Sequence, residues 1–378
     1  MTENTRKNWL KHIKDQGNLP TPYILTDLNI IKDNAKRLKS LLNDVRIYYA
    51  VKSNSHPEII SHLDQIVDGY DIASLGEWEL LRKSNISSKR ILFSNPVKIP
   101  RHIEKTYQDG LSYYALDSID EIKKLSKLAP GVNVYLRVQV SDYGSKFPLS
   151  KKYGLLPMHV AEYASFAESM GLRVRGLTFH VGSQSENLQV WERACKISGG
   201  LIERLSKIGI KIEFLDIGGG FPADYGQPIP SLAETCRVIS KAITKYIPKE
   251  VEIIAEPGRF IVAESSVIVT EIIAREHRSG TDWLHLDMGV FQGLIEPLEM
   301  ETWKYPTFTD KNPQGYKKDF VLTGPSCDAY DTIGVDYSLP SEMNQSDRVY
   351  IGSAGAYTSV YGSTFNGFEI PRTYFLNG

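Results

Sequence analysis

The sequence predicts an α/β protein, a (β/α)8 barrel resembling the TIM barrel, followed by an all-β domain. Three observations carry this expectation. Eight short apolar runs bounded by turn formers recur between residues 46 and 258. Stretches with apolar residues at three- and four-residue spacing lie between them. Past about residue 262 the helical period gives way to short β-branched and aromatic runs.

The strand candidates are RIYYAV (46–51), VDGYDIA (67–73), RILFSN (90–95), LSYYAL (111–116), VNVYLRVQV (132–140), RGLTFHV (175–181), KIEFLDIG (211–218) and VEIIAEPG (251–258). Eight is the number that closes a parallel barrel. Helical spacing marks SIDEIKKLSKLA (118–129), MHVAEYASFAESMG (158–171) and VWERACKISGGLIERLSKIG (190–209). From SSVIVTEIIAREHR onward come DWLHLDMG, KDFVLTG and RVYIGSAG, separated by Gly, Pro and Asp. The expected domains are therefore a barrel over residues 26–262 and a β-sandwich or β-barrel-like domain of residues 1–25 plus 263–378.

Composition narrows the function. The 378 residues carry a formal charge of -1, from 44 basic and 45 acidic side chains, which argues against a dedicated nucleic-acid or membrane surface. No apolar stretch reaches the ~18 residues needed to span a bilayer, and the N-terminus MTENTRKNWLKHIKDQGNLP lacks the apolar core of a signal peptide. Cys195, Cys236 and Cys327 are far apart and form no C-x-x-C pair, so neither a disulfide framework nor a metal site is expected. The expected location is the cytoplasm, and small-molecule chemistry the expected trade.

In such a barrel the active site lies at the C-terminal strand ends. Lys52, Asp71, Asn95, Arg137, His180, Gly218-Gly219-Gly220, Glu256 and Arg259 are placed there. A lysine ending an apolar strand either snorkels to water or is paired or covalently engaged. The glycine run, which is not G-x-G-x-x-G, is either a tight turn or an anion-cradling loop. His180 is either a packing residue or a functional one. Glu256, just past an apolar core, needs a cationic or protonated partner. Jointly, an isolated amine, an anion loop, a flat imidazole and an inward carboxylate suit pyridoxal 5′-phosphate, which needs one of each.

Eight segments, in order, resemble the alanine-racemase-fold pyridoxal-phosphate decarboxylases, most closely the bacterial ornithine and lysine decarboxylases. They are YYAVKSN, YDIASLGEWELL, PLSKKYG, FHVGSQ, LDIGGGFPADY, EPGRFIV, GPSCDAYD and GAYT…STFNGF. The resemblance implies that Lys52 is the Schiff-base lysine with Asp71 beside it. It implies that His180 stacks on the pyridine ring and that Glu256 meets the pyridine nitrogen. Ser183, Gly218, Gly219, Gly220, Arg259 and Tyr357 match phosphate contacts. Cys327 matches the cysteine that protonates the carbanion, and Asp328 the aspartate that reads a distal ammonium, with Glu296 and Phe365 as further substrate contacts. A carboxylate at the ring nitrogen favours decarboxylation over racemisation.

The expectation is thus a homodimer with shared active sites that decarboxylates L-ornithine or L-lysine to a diamine for polyamine biosynthesis. Two alternatives stand beside it: a decarboxylase of a modified or D-configured basic amino acid in siderophore or specialised metabolism, and a non-catalytic regulator like the antizyme inhibitors. The segments GLIEP and FSNPVKI depart from the family's usual G-L-A-E-T and N-T-I-K-K, which bears on the substrate.

Overall fold

The computed structural model describes residues 1–312 and 314–378. Eight parallel strands close a barrel: β1 (Val45–Ala50), β2 (Gly69–Ile72), β3 (Ile91–Phe93), β4 (Tyr113–Leu116), β5 (Asn133–Arg137), β6 (Arg173–Thr178), β7 (Phe214–Asp216) and β8 (Glu252–Ala255). Each of the eight apolar runs supplies one strand, and all but β1 are shorter than their run. The ring closes where β8 returns to β1, with Ile253 opposite Val45 and Ala255 opposite Ile47.

One layer of the barrel interior shows why glycines stand inside two strands. Tyr48, Leu92, Ala115, Tyr135, Phe214 and Ile254 pack together across the lumen. A Cβ on Gly69 would lie 2.3 Å from the Tyr48 ring, and one on Gly176 would lie 2.4 Å from the Phe214 ring. The two glycines on β2 and β6 give the space that the large rings fill, as alternation of large and small residues in a closed barrel requires.

The helices start on sequence signals. Ser74, Ser118 and Ser231 each cap a helix by accepting from the backbone N–H of a glutamate three residues on, Glu77, Glu121 and Glu234. The expected helices appear at Ile119–Leu128, Val160–Ser169 and Gln189–Lys207. A short ribbon pairs Ser145–Phe147 with Ser183–Ser185 on the side where the barrel strands end.

Two compact units result. One comprises Lys32–Pro222 and Ile229–Arg259 and contains the barrel. The other comprises Met1–Ile31, Ala223–Pro228 and Phe260–Gly378, and its strands are joined by pairing into one connected sheet. The reason is the strand Ser266–Arg278. Its first half pairs with Tyr23–Asp27 and Arg348–Ile351, and its second half, past a bulge between Ile272 and Ala274, pairs with Thr281–Leu286. The bulge bends one strand so that it serves both parts of the sheet. Trp9, Tyr23, Leu25, Val267, Val269, Phe308 and Tyr350 bury the first part against the helix Glu3–Asp15. Among the described residues no helix is long and apolar enough to cross a membrane.

Candidate active site

Lys52 follows β1 directly, inside the single 3-10 turn Val51–Ser53. Its ammonium is not buried as a lone charge: the side chain is 43% exposed, and Nζ donates to Asp71 Oδ2 at 2.7 Å. Asp71, on β2, is itself 2% exposed, and its Oδ1 has no hydrogen-bond partner among the described residues. Lys52, Asp71, Ser94, Asn95, Arg137, Tyr153, His180 and Glu256 line one cavity of about 230 Å³ at the strand ends of the barrel.

Glu256 stands one residue past β8, buried, and is met by a second carboxyl rather than by a simple cation. Asp216, at the end of β7 and fully buried, shares a hydrogen bond with Glu256. Two adjacent buried carboxyls cannot both ionise readily, so the pair holds a proton. Asp216 accepts from Thr178 Oγ1 at 2.7 Å and from the Gly218 N–H at 2.8 Å, which favours charge there. Glu256 is held well above the usual carboxylate range by burial, then by Asp216 and Asp71. Its Oε1 accepts from Ser94 Oγ. Arg137, at the end of β5, faces Glu256 and Asp117 from inside the protein and lies 4.9 Å over the Tyr153 ring.

His180 lies two residues past β6. Burial, then the cations of Arg137 and Lys52, push its imidazole well below the usual range, so it is neutral, and it lines the cavity. Its Nδ1 accepts from the Gly182 N–H at 2.9 Å, which leaves the ring proton on Nε2. The glycine triplet is packed against this ring. A Cβ on Gly219 would lie 2.7 Å from the Glu256 carbonyl oxygen and 3.1 Å from His180 Nε2. Gly218 (φ +65) and Gly220 (φ +105) adopt left-handed backbone, and their added Cβ atoms would meet the carbonyls of Phe179 and Gly182. Arg259, beyond β8, donates through Nε to Ser183 Oγ at 3.1 Å and stacks 4.9 Å from the Phe147 ring. The backbone at all three glycines thus leaves no room for a side chain.

The other unit holds the remaining candidates. Cys327 is exposed, and Asp328 Oδ1 accepts from the Tyr330 N–H at 2.9 Å. Their loop is pinned by Asp331, which is fully buried and accepts from Val290 N at 2.8 Å and Ser326 N at 2.9 Å, tying GPSCDAYD to the LDMGVF segment. Glu296 is 2% exposed and accepts from Tyr305 Oη at 3.2 Å. Phe365 packs its ring 4.5 Å from Phe291. Tyr357 has φ +54, a left-handed backbone that is costly for an aromatic residue and is retained where surroundings impose it.

Sequence reasoning missed four residues of the barrel site: Ser94, Tyr135, Asp216 and Glu77. Glu77 Oε2 accepts from the Ala73 N–H at 2.6 Å, and burial pushes its carboxyl up to about 7 beside Asp71 and Lys52. Its signal was present as the glutamate of S-x-x-E, which reads equally as a helix start. Among the described residues no cluster could hold a metal ion, and Cys195 and Cys236 are buried thiols pushed up to about 12.

Residues 28–263 match the pyridoxal binding domain of the pyridoxal-dependent decarboxylases. The chain is 31% identical over 356 residues to the lysine/ornithine decarboxylase of Selenomonas ruminantium, covering 94% of this chain and 89% of that one. It superposes with a TM-score of 0.88 on the lysine/ornithine decarboxylase of Vibrio vulnificus solved with putrescine, at 29% identity and 98% of both chains. A TM-score of 0.90 relates it to the arginine decarboxylase of Paramecium bursaria Chlorella virus bound to agmatine, at 27% identity, with 98% of this chain and 100% of that one covered.

Proposed function

The chain belongs to the pyridoxal-dependent decarboxylases, and from that premise we infer that it removes the carboxyl group of L-ornithine or L-lysine to give a diamine. The cofactor of this family is pyridoxal 5′-phosphate. The barrel pocket fits it on three counts. A carboxylate oxygen, Asp71 Oδ1, is buried and has no hydrogen-bond partner among the described residues. The backbone at Gly219 leaves no room for a side chain. The buried Glu256 carboxyl shares a proton that a basic pyridine nitrogen could take.

In this reading Lys52 is the amine that holds the aldehyde, with Asp71 fixing its position. Glu256 would face the ring nitrogen, and the neutral face of His180 would lie against the ring. Gly218, Gly219 and Gly220 let the phosphate approach the backbone, with Ser183, Arg259 and Tyr357 as its side-chain contacts. Bound there, pyridoxal phosphate draws electrons from the bond to the departing carboxylate. Cys327 Sγ delivers a proton to the substrate carbon once CO2 has left, Asp328 and Glu296 receive the distal ammonium, and Phe365 covers the carbon stem.

We take residues 26–262 as the cofactor-binding domain and the chain as a cytoplasmic two-fold dimer, in which the loop of Cys327 reaches the partner's barrel. The observation that carries the functional reading is the meeting of Lys52, His180 and Glu256 in one cavity. Measuring CO2 release from L- and D-ornithine, lysine, arginine and diaminopimelate tests it. L-Ornithine or L-lysine should give the highest kcat/KM; a preference for diaminopimelate or a D-amino acid, or no turnover of any, would overturn it.

A further inference from the structure

Tyr135 stands on β5 in the middle of the barrel lumen, with no exposed surface, among Tyr48, Leu92, Ala115, Phe214 and Ile254. A phenol hydroxyl in such surroundings is costly unless it is bonded. The Tyr135 hydroxyl lies 2.8 Å from Ser94 Oγ, one residue past β3, and Ser94 Oγ in turn donates to Glu256 Oε1. Ser94 has a single proton. If that proton goes to Glu256, the hydrogen between the two hydroxyls belongs to Tyr135, so the chain runs in one direction: Tyr135 O–H to Ser94 Oγ, Ser94 O–H to Glu256 Oε1. Each donor in such a chain polarises the next, and both dipoles end on the carboxylate.

The surroundings of Glu256 make this direction matter. Asp216 at the end of β7 and Asp71 on β2 oppose negative charge on it, while Lys52 after β1 and Arg137 at the end of β5 favour it. Neutral His180 after β6 adds no charge. Ser94, just past β3, supplies a hydrogen bond that favours the ionised form and opposes burial. Among the described residues, Ser94 alone donates a side-chain hydroxyl proton to Glu256.

We propose that Ser94 and Tyr135 are positioning residues for Glu256, a two-hydroxyl chain through the barrel lumen that fixes the orientation and charge of the carboxylate facing the cofactor nitrogen. The proposal rests on the placement of Glu256 opposite that nitrogen. It assigns to the barrel core a part in the chemistry: Tyr135 touches neither substrate nor cofactor, and acts through Ser94.

The test uses holoenzyme reconstituted with pyridoxal phosphate labelled with 15N in the ring, and reads the nitrogen chemical shift against pH alongside kcat/KM. Ser94→Ala should retain the cofactor, move the nitrogen signal towards neutral pyridine near pH 7, and raise the acid limb of kcat/KM by about one pH unit, the size of one hydrogen bond to a charged group. Tyr135→Phe should shift both readouts the same way by less, and Ser94→Thr, which keeps the hydroxyl, should restore both. An unchanged nitrogen signal and acid limb in Ser94→Ala would overturn the proposal; should that variant not fold, the same result in Tyr135→Phe would do so. Glu256→Gln separates the two levels. If it leaves the nitrogen signal as in wild type, the placement of Glu256 itself fails; if it moves the signal and Ser94→Ala does not, only the hydroxyl chain fails.

Discussion

Lys52 Nζ donates to Asp71 Oδ2 across 2.7 Å, while the other oxygen of Asp71 meets no hydrogen-bond partner among the described residues. Asp71 lies on β2 and Lys52 in the turn directly after the neighbouring β1, with Ala50 opposite Asp71 in the β1–β2 register, so the amine is kept at the cavity wall without being sealed in. An amine so placed is accessible to an aldehyde and has a carboxylate to manage its proton.

Borohydride reduction of the holoenzyme, followed by peptide mapping, should therefore place the pyridoxyl group on Lys52. Label on any other lysine would reject the assignment. Asp71→Asn should still accept the cofactor but label more slowly, by about tenfold, because the charge that orients the amine is gone.

Glu77 gives a pH prediction whose sign follows from burial. Its carboxyl is raised from 4.5 to about 7 in the folded chain, chiefly by desolvation. The folded state thus binds a proton that the unfolded chain has lost, and the stability this contributes is present below pH ~4.5 and lost as pH rises through about 7. Glu77→Gln removes the titration. Urea unfolding of the cofactor-free protein at pH 5 and pH 8 should show a smaller difference in the variant, by on the order of 2 kcal/mol. An unaltered difference would show that Glu77 ionises normally.

Much of the barrel was legible because its strands are buried on both faces and read as unbroken apolar runs. Lys52 stood out as a charge ending such a run, and Glu256 as a carboxylate two residues past another. Ser94 and Asp216 did not, since short polar residues at strand ends read as turn formers. Tyr135 was hidden by its own ring, which reads as core and is core; only the position of its hydroxyl gives it a second role. The anchor of the GPSCDAYD loop was hidden for a different reason. Asp331 accepts from the N–H of Val290, 41 residues away in sequence, and no local period encodes such a contact.

Asp328 is expected to read the distal ammonium of the substrate. Asp328→Ala should reduce kcat/KM for the preferred diamino acid by ~100-fold, the loss of about 2–3 kcal/mol from one charge-assisted contact, with most of the change in KM. A variant that keeps wild-type KM would remove Asp328 from the substrate site.

The proposed sharing of sites between two chains makes a complementation prediction. Lys52→Ala and Cys327→Ala are each expected to be inactive. Mixed under conditions of subunit exchange, half of the dimers pair one of each and hold one intact site, so activity should return to about a quarter of wild type. Recovery no greater than the sum of the two variants, with exchange verified by mass, would place both residues in one chain's site.

The glycine triplet sets a limit on how this sequence can vary. At Gly218, Gly219 and Gly220 the nearest obstacle to a side chain is in each case a main-chain carbonyl oxygen, of Phe179, Glu256 and Gly182, at 2.3 to 2.7 Å. A clash with a side chain can be relieved by a second substitution that trims it, but a carbonyl oxygen belongs to every residue type and offers nothing to trim. In a saturation library, then, these three codons should tolerate only synonymous change, and no suppressor mutation elsewhere should rescue an alanine at any of them. By that criterion they differ from Gly69 and Gly176, whose obstacles are the rings of Tyr48 and Phe214, and where a paired exchange of glycine for a larger residue and ring for a smaller one keeps the lumen filled.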